Sequence, residues 1–149
     1  MLKQSSLLLT VMLMVTTAAM AQSNIELFLE QYQWQNRVVL VFAPGSSNAL
    51  YRDQVQEFKG YEDGFADRDL ITFHLFSGME SYQGNKKINK NLSDQFYQFY
   101  DVEKGEFIVL LIGKDGTEKL RQSKPLATDT LFSVIDAMPM RQREMRNKY

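Results

Sequence analysis

The chain has 149 residues, 17 basic against 18 acidic side chains and a formal charge of −1. That is one domain with room for a real core, and a balance that gives neither the electrostatic footprint of a nucleic-acid binder nor a polybasic surface for anionic membranes. Cysteine is absent, which excludes a thiol nucleophile, a redox disulfide, an iron–sulfur cluster and cysteine-ligated zinc.

The first residues have three parts. Lys3 is followed by an almost wholly apolar run over residues 7–17, and Ala18-Ala19-Met20-Ala21 then places small side chains in an A-x-A arrangement. This pattern predicts a secretory signal peptide, residues 1–21, cut after Ala21. The run is shorter than the roughly 20 apolar residues of a spanning helix, so no stable membrane anchor is expected after cleavage, and no cysteine stands at the cut to carry lipid. The cut removes Lys3, the one charged residue of the segment, and so takes the formal charge from −1 to −2. The expected address is periplasmic or secreted. Without disulfides, an exported domain must be held by its core alone.

Residues 22–140 read as the folded domain, and 141–149 as a charged C-terminal tail. Ser23-Asn24-Ile25-Glu26 has the form of a capping box, and Ile25, Phe28, Leu29 and Tyr32 share one helical face. Val38-Val39-Leu40-Val41-Phe42 is an unbroken run typical of a strand buried on both faces. Ala43-Pro44-Gly45-Ser46-Ser47-Asn48 reads as a loop whose Ser and Asn side chains suit a helix N-cap. Leu50, Tyr51, Val55 and Phe58 give the next helix an apolar face. A second strand is expected over 70–76, a polar loop over 77–87, and a helix carrying Ile88, Leu92, Phe96, Phe99 and Tyr100. A third strand over 107–112 leads through Lys114-Asp115-Gly116, a hairpin turn in which Asp-Gly accepts positive φ, into a polar strand over 117–121, placed at a sheet edge. Leu131, Phe132, Ile135 and Met138 line a last helix that Pro139 ends or kinks.

The order is αβαβαββα. A helical connection between the first two strands requires a parallel, right-handed crossover, and the last two strands form an antiparallel hairpin. The expected fold is α/β and thioredoxin-like, with a mixed central sheet of about four strands and helices on both faces.

Several segments, in order, carry a family resemblance: RVVLVFAP (37–44), DRDLI (67–71), FIVLLIGKDG (107–116), KLR (119–121) and LFSVIDAMPMRQREMR (131–146). The chain resembles the P-DUDES family, exported thioredoxin-like domains of unknown function that occur alone in bacterial proteins. It is also similar to domains of vertebrate extracellular matrix proteins, the sushi-repeat-containing family among them. The resemblance covers nearly the whole chain after the signal, and its most specific stretch is Ile135 to Arg141. It implies the fold and export, and no established activity.

In redox-active thioredoxins a Cys-x-x-Cys sits between the first central strand and its helix; here that place holds Ala43 to Asn48. The fold also carries a cis-proline before its third strand; here Gly105-Glu106 precedes Phe107. With both missing, neither thiol exchange nor the thioredoxin peptide groove is expected.

Ser46 and Ser47 are candidate anion ligands at a helix N-terminus, against the ordinary role of a cap. Arg52 and Asp53, with Arg37, flank the first strand and its loop; an arginine there can complete an anion site or form a surface ion pair worth under about 1 kcal/mol. Arg68 lies within an acidic cluster of Glu62, Asp63, Asp67 and Asp69. The cluster matches no calcium loop and reads as a solvated loop in which Arg68 pairs with Asp67 or Asp69. His74, the only histidine, lacks the companions a metal site needs. Arg141, Arg143, Arg146 and Lys148 are explained by a helix C-terminus and solvation. Asn91-Leu92-Ser93 has the form of a glycosylation acceptor inside a helix.

No metal, cofactor or catalytic residue is implied. The expected function is a binding or scaffold module whose partner, a protein or small ligand of the cell envelope, the residues do not name. A small-ligand or anion carrier and a non-thiol enzyme built on the 43–54 loop stand as alternatives; the enzyme lacks a visible general base.

Overall fold

The computed structural model describes residues 24–148. The signal peptide, its cleavage after Ala21 and the Ser23 half of the capping box lie outside the described residues. The chain runs α1 (Asn24–Glu30), β1 (Arg37–Ala43), α2 (Ala49–Phe58), α3 (Glu62–Asp67), β2 (Leu70–Phe76), β3 (Ser81–Gln83), β4 (Lys86–Ile88), α4 (Lys90–Phe99), β5 (Ile108–Ile112), β6 (Glu118–Gln122), α5 (Thr128–Asp136) and α6 (Pro139–Asn147). The sheet order is β4-β3-β2-β1-β5-β6.

The central strand follows from its composition. All seven residues of β1 are buried, because β1 has a neighbour on each side and helices on each face. It pairs in parallel with β2, Arg37 opposite Leu70 and Ala43 opposite Phe76, and antiparallel with β5. Side chains alternate across a strand, so two cores form. Val38, Leu40 and Phe42 meet Phe73, Leu75, Leu110 and the helices α1 and α4 through Ile25, Phe96 and Tyr97. Val39, Val41 and Ala43 meet Val109, Leu111 and the α5 residues Leu131 and Ile135, with α2 and α3 behind them through Tyr51, Phe58 and Phe65.

The sheet has six strands where about four were expected. The stretch 77–87, read as a loop, holds the hairpin β3–β4, turning at Gly84-Asn85, with Gly84 at φ 55°. Gly-Asn is itself a two-residue hairpin signal, but strands of three residues are too short to show alternation. The crossover from β1 to β2 carries two helices, α2 and α3. Pro139 does more than end a helix. It occupies the first turn of a separate one, α6, where its missing N–H costs nothing.

Two helix faces also differ from the apolar pattern. On α2, Leu50 and Val55 are exposed and Gln54 is fully buried; its amide donates to Leu126 O at 3.0 Å and accepts from Leu126 N at 2.6 Å, as a strand neighbour would. On α4, Tyr97 points inward and Phe99 outward. The Tyr97 hydroxyl donates to Leu75 O at 2.9 Å and lies 3.1 Å from Ala43 O, so it serves two carbonyls at the ends of adjacent strands.

Candidate functional site

The candidates from sequence lie at opposite ends of the sheet. Ser46, Ser47, Arg52 and Asp53 follow the C-terminal end of β1 and are all exposed. Neither serine caps α2. Asn48 does, its Oδ1 accepting from Tyr51 N at 3.1 Å. Arg68 precedes β2 at its N-terminal end. A seven-residue strand rises about 20 Å, and parallel pairing of β1 with β2 keeps Arg68 that far from the 43–48 loop. These five residues therefore do not converge.

His74 faces α2, its Nδ1 3.1 Å from the Tyr51 hydroxyl. Burial pushes its pKa below the ordinary value, which leaves the ring neutral at pH 7. The acidic cluster is divided. Glu62 and Asp63 sit in the first turn of α3, where negative charge suits the helix dipole, and Asp67 and Asp69 are taken by cations. Among the described residues no group of three or more His, Asp or Glu side chains is arranged to hold a metal ion.

Charge chemistry is concentrated at the N-terminal end of β1, around α6. Arg37, 1% exposed, makes a two-pronged contact with Glu144 at 3.1 and 3.2 Å and donates to Arg68 O at 2.8 Å. The surface pair expected of Arg37 is thus a buried one. Lys114 bridges Asp69 and Glu144, each at 2.7 Å. Arg68 grips Asp136 at 3.0 and 2.7 Å and lies 3.9 Å over the Phe132 ring; its approach to Asp67 is only 3.9 Å, so its chief partner is one the local sequence does not contain. Arg141 joins Asp136 at 3.1 Å and also bonds Asp67, which Lys148 contacts in turn. The expected solvated tail is corrected accordingly: Arg141 is buried, and α6 is clasped to the sheet and to α5 by ion pairs.

These contacts govern the carboxyl groups. Hydrogen bonds from Lys148 and Arg141 hold Asp67 down at about 2. Burial pushes Asp136 and Glu144 up, but Arg68 and Arg141 on the first, and Lys114 and Arg37 on the second, outweigh it and keep both below their ordinary values. Carboxyls depressed in the folded state contribute stability above their unfolded pKa and lose it as pH falls through the folded one. The melting temperature should therefore fall from about pH 5 toward pH 2, and Asp67→Asn should flatten the lower part of that decline. A melting temperature unchanged down to pH 2 in calorimetry would contradict the clasp.

A groove of about 610 Å³ opens beside the clasp. It is lined by Trp34, in the turn between α1 and β1, and by the α5–α6 corner, with Val134, Met138, Pro139 and Met140. Arg37, the β5–β6 turn with Lys114 and Asp115, and Lys119 form part of its lining; Lys119 is paired with Asp115 at 2.7 Å, and Arg143 adds a further positive charge. Trp34 is 63% exposed and held at φ 65°, a left-handed conformation that is costly for a bulky side chain. Its N–H donates to Lys114 O at 2.6 Å, and the neighbouring Gln33 amide donates to Asp115 O at 3.0 Å. These bonds hold the turn from which the exposed indole projects. Sequence reading missed this groove. Its one early signal was a lone tryptophan outside every apolar stripe.

Sheet order, parallel β1–β2 pairing and helices on both faces define a thioredoxin-like α/β domain, and the absence of cysteine makes it one without thiol chemistry. The chain belongs to the DUF4174 family, described as a domain of unknown function, whose model matches residues 28–144. Among solved structures, the reduced 2-Cys peroxiredoxin of Plasmodium vivax aligns with a TM-score of 0.55 over 81% of this chain and 85% of that one, at 16% identity, a likeness of fold alone. The chain is similar to the sushi repeat-containing protein SRPX2 of Xenopus laevis, 25% identical over 121 residues, and to human SRPX, 27% over 120 residues. It is also similar to coiled-coil domain-containing protein 80 of Danio rerio, 22% over 138 residues. These matches cover 79%, 78% and 82% of this chain but only 26%, 26% and 16% of the relatives, so the chain corresponds to one module of much longer proteins. Among the described residues no helix is long and apolar enough to cross a membrane.

Proposed function

We propose that the chain is an exported, non-redox binding module of the P-DUDES kind that engages its partner through the Trp34 groove. One observation carries the reading: a large aromatic side chain, mostly in solvent on a strained backbone, lines an apolar groove that also carries Arg143. Strain of this kind persists only where the surrounding structure enforces it, and it clusters at sites of function. Exposed tryptophan beside apolar side chains is also the composition of binding hot spots. Export rests on the tripartite pattern of residues 1–21 and fits the likeness to the sushi-repeat-containing proteins. Over residues 43–54, Ser46, Ser47, Arg52 and Asp53 are exposed and the one histidine hydrogen-bonds to Tyr51 instead of a serine, which gives the enzyme reading less support.

Affinity capture from an envelope extract tests this. Protein purified from that fraction is expected to begin at Gln22. It should recover a partner that is lost with Trp34→Ala and retained with the paired change Ser46→Ala and Arg52→Ala. Recovery of nothing at any salt concentration, or a partner indifferent to Trp34 and lost with the serine–arginine pair, would overturn the assignment.

A further inference from the structure

We infer that the groove takes an acidic peptide segment of a partner protein, with an apolar side chain against Trp34, Met138 and Met140 and a carboxylate at the first turn of α6 beside Arg143. This rests on the binding-module reading and adds the chemistry of the partner.

The charge inventory asks for an anion. The acidic groups around the groove are already engaged: Asp69 and Glu144 by Lys114, Glu144 also by Arg37, and Asp115 by Lys119. On the basic side, Arg143 has no ion-pair partner among the described residues. Arg37, almost wholly buried in the groove's lining, has an Nε with no hydrogen-bond acceptor, where an unpaired polar group is expensive. Helix α6 starts inside the groove. Its N-cap is Met138, which supplies no side-chain acceptor, so the positive end of a nine-residue helix is left open to an anion.

The groove's shape favours a peptide over a small molecule. Small ligands are held where the protein encloses about 70–90% of their surface, whereas this groove is open and its tryptophan stands mostly in solvent. A partner that brings its own apolar surface completes the burial. The groove also meets an unused sheet edge. Lys119 belongs both to its lining and to β6, which pairs with β5 on one side and, among the described residues, has no neighbour on the other. An extended segment can continue from the groove along that edge, with backbone hydrogen bonds adding affinity.

The test is selection of a random decapeptide library on the immobilised mature protein, followed by titration of the best-enriched peptide. Trp34 is the only tryptophan, so its emission reports occupancy directly. Enriched sequences are expected to place Asp or Glu beside Leu, Ile or Phe and to shift Trp34 emission. The peptide should bind Arg143→Glu about tenfold more weakly, and more weakly at high salt. Arg143 is exposed, so that variant should melt with the wild type. Enrichment of basic or uncharged sequences, or binding unaffected by Arg143→Glu, would overturn the acidic-peptide assignment while capture through Trp34 still stood. Absence of any enriched peptide would overturn it too, and the envelope capture would then decide separately whether the binding-module reading falls.

Discussion

Arg37→Ala is expected to destabilise the fold by about 3 kcal/mol, the lower end of the range for breaking a buried ion pair. The guanidinium is 1% exposed and supplies two hydrogen bonds to Glu144 and one to the Arg68 carbonyl. Alanine leaves that carbonyl without its donor, empties a side-chain volume and takes one of two cations from Glu144. The other, Lys114, stays at 2.7 Å, which is why the lower end applies. A paired change, Arg37→Met with Glu144→Met, should recover most of the loss. Apolar replacement of a whole buried pair is often close to neutral, and Lys114 keeps Asp69 at 2.7 Å. Urea denaturation of the two variants decides the matter. A single change costing under 1 kcal/mol, or a double no better than the single, would show that the pair does not hold α6 to β1.

The second large effect belongs to the opposite face of the sheet. Phe73→Ala should cost about 3–5 kcal/mol, the range for removing a buried aromatic ring. Phe73 is fully buried, with ring centroids 6.0 Å from Phe28, 5.7 Å from Tyr32 and 5.4 Å from Phe96. It therefore links β2 to α1 and α4 together. Tyr32→Phe removes only a part-buried bond to Gln83 at 3.2 Å and should cost about 1 kcal/mol or less. The aromatic cluster also supports function, because α1 leads directly into the turn that presents Trp34. Loosening α1 should lower the fluorescence anisotropy of Trp34 in the still-folded Phe73→Ala protein. Unchanged anisotropy at the full cost of about 3–5 kcal/mol would mean that the turn carrying Trp34 is held by its own hydrogen bonds and not by α1.

Both effects bear on what could be read beforehand. The run at 38–42 announced a strand buried on both faces, and its alternation accounts for the two cores. The crossover rule placed β2 parallel to it, and Asp115-Gly116 announced the β5–β6 hairpin; Gly116 takes φ 79°. Periodicity failed where polar side chains occupy inward positions. Gln54 on α2 is buried because it hydrogen-bonds a distant backbone, and Arg141 on α6 because Asp67 and Asp136 meet it. An apolar pattern cannot register a buried group whose partners lie elsewhere in the chain. The stretch from 141 onward looked like a solvated tail for that reason.

The site divides along the same line. Composition alone, zero cysteines and a near-balanced charge, removed thiol chemistry and gave no footprint for nucleic acid, and local patterns laid out the order of most helices and strands. Those are properties of residues and their near neighbours, which a chain carries whatever its fold. The groove is assembled from the α1–β1 turn, the β5–β6 turn and the α5–α6 corner, about a hundred residues apart from first to last. Only the packed sheet brings these segments together, and only long-range contacts from the β5–β6 turn hold the turn that carries Trp34. Ser46 and Arg68 were both candidates in sequence, and the parallel pairing of β1 with β2 puts them at opposite ends of the sheet.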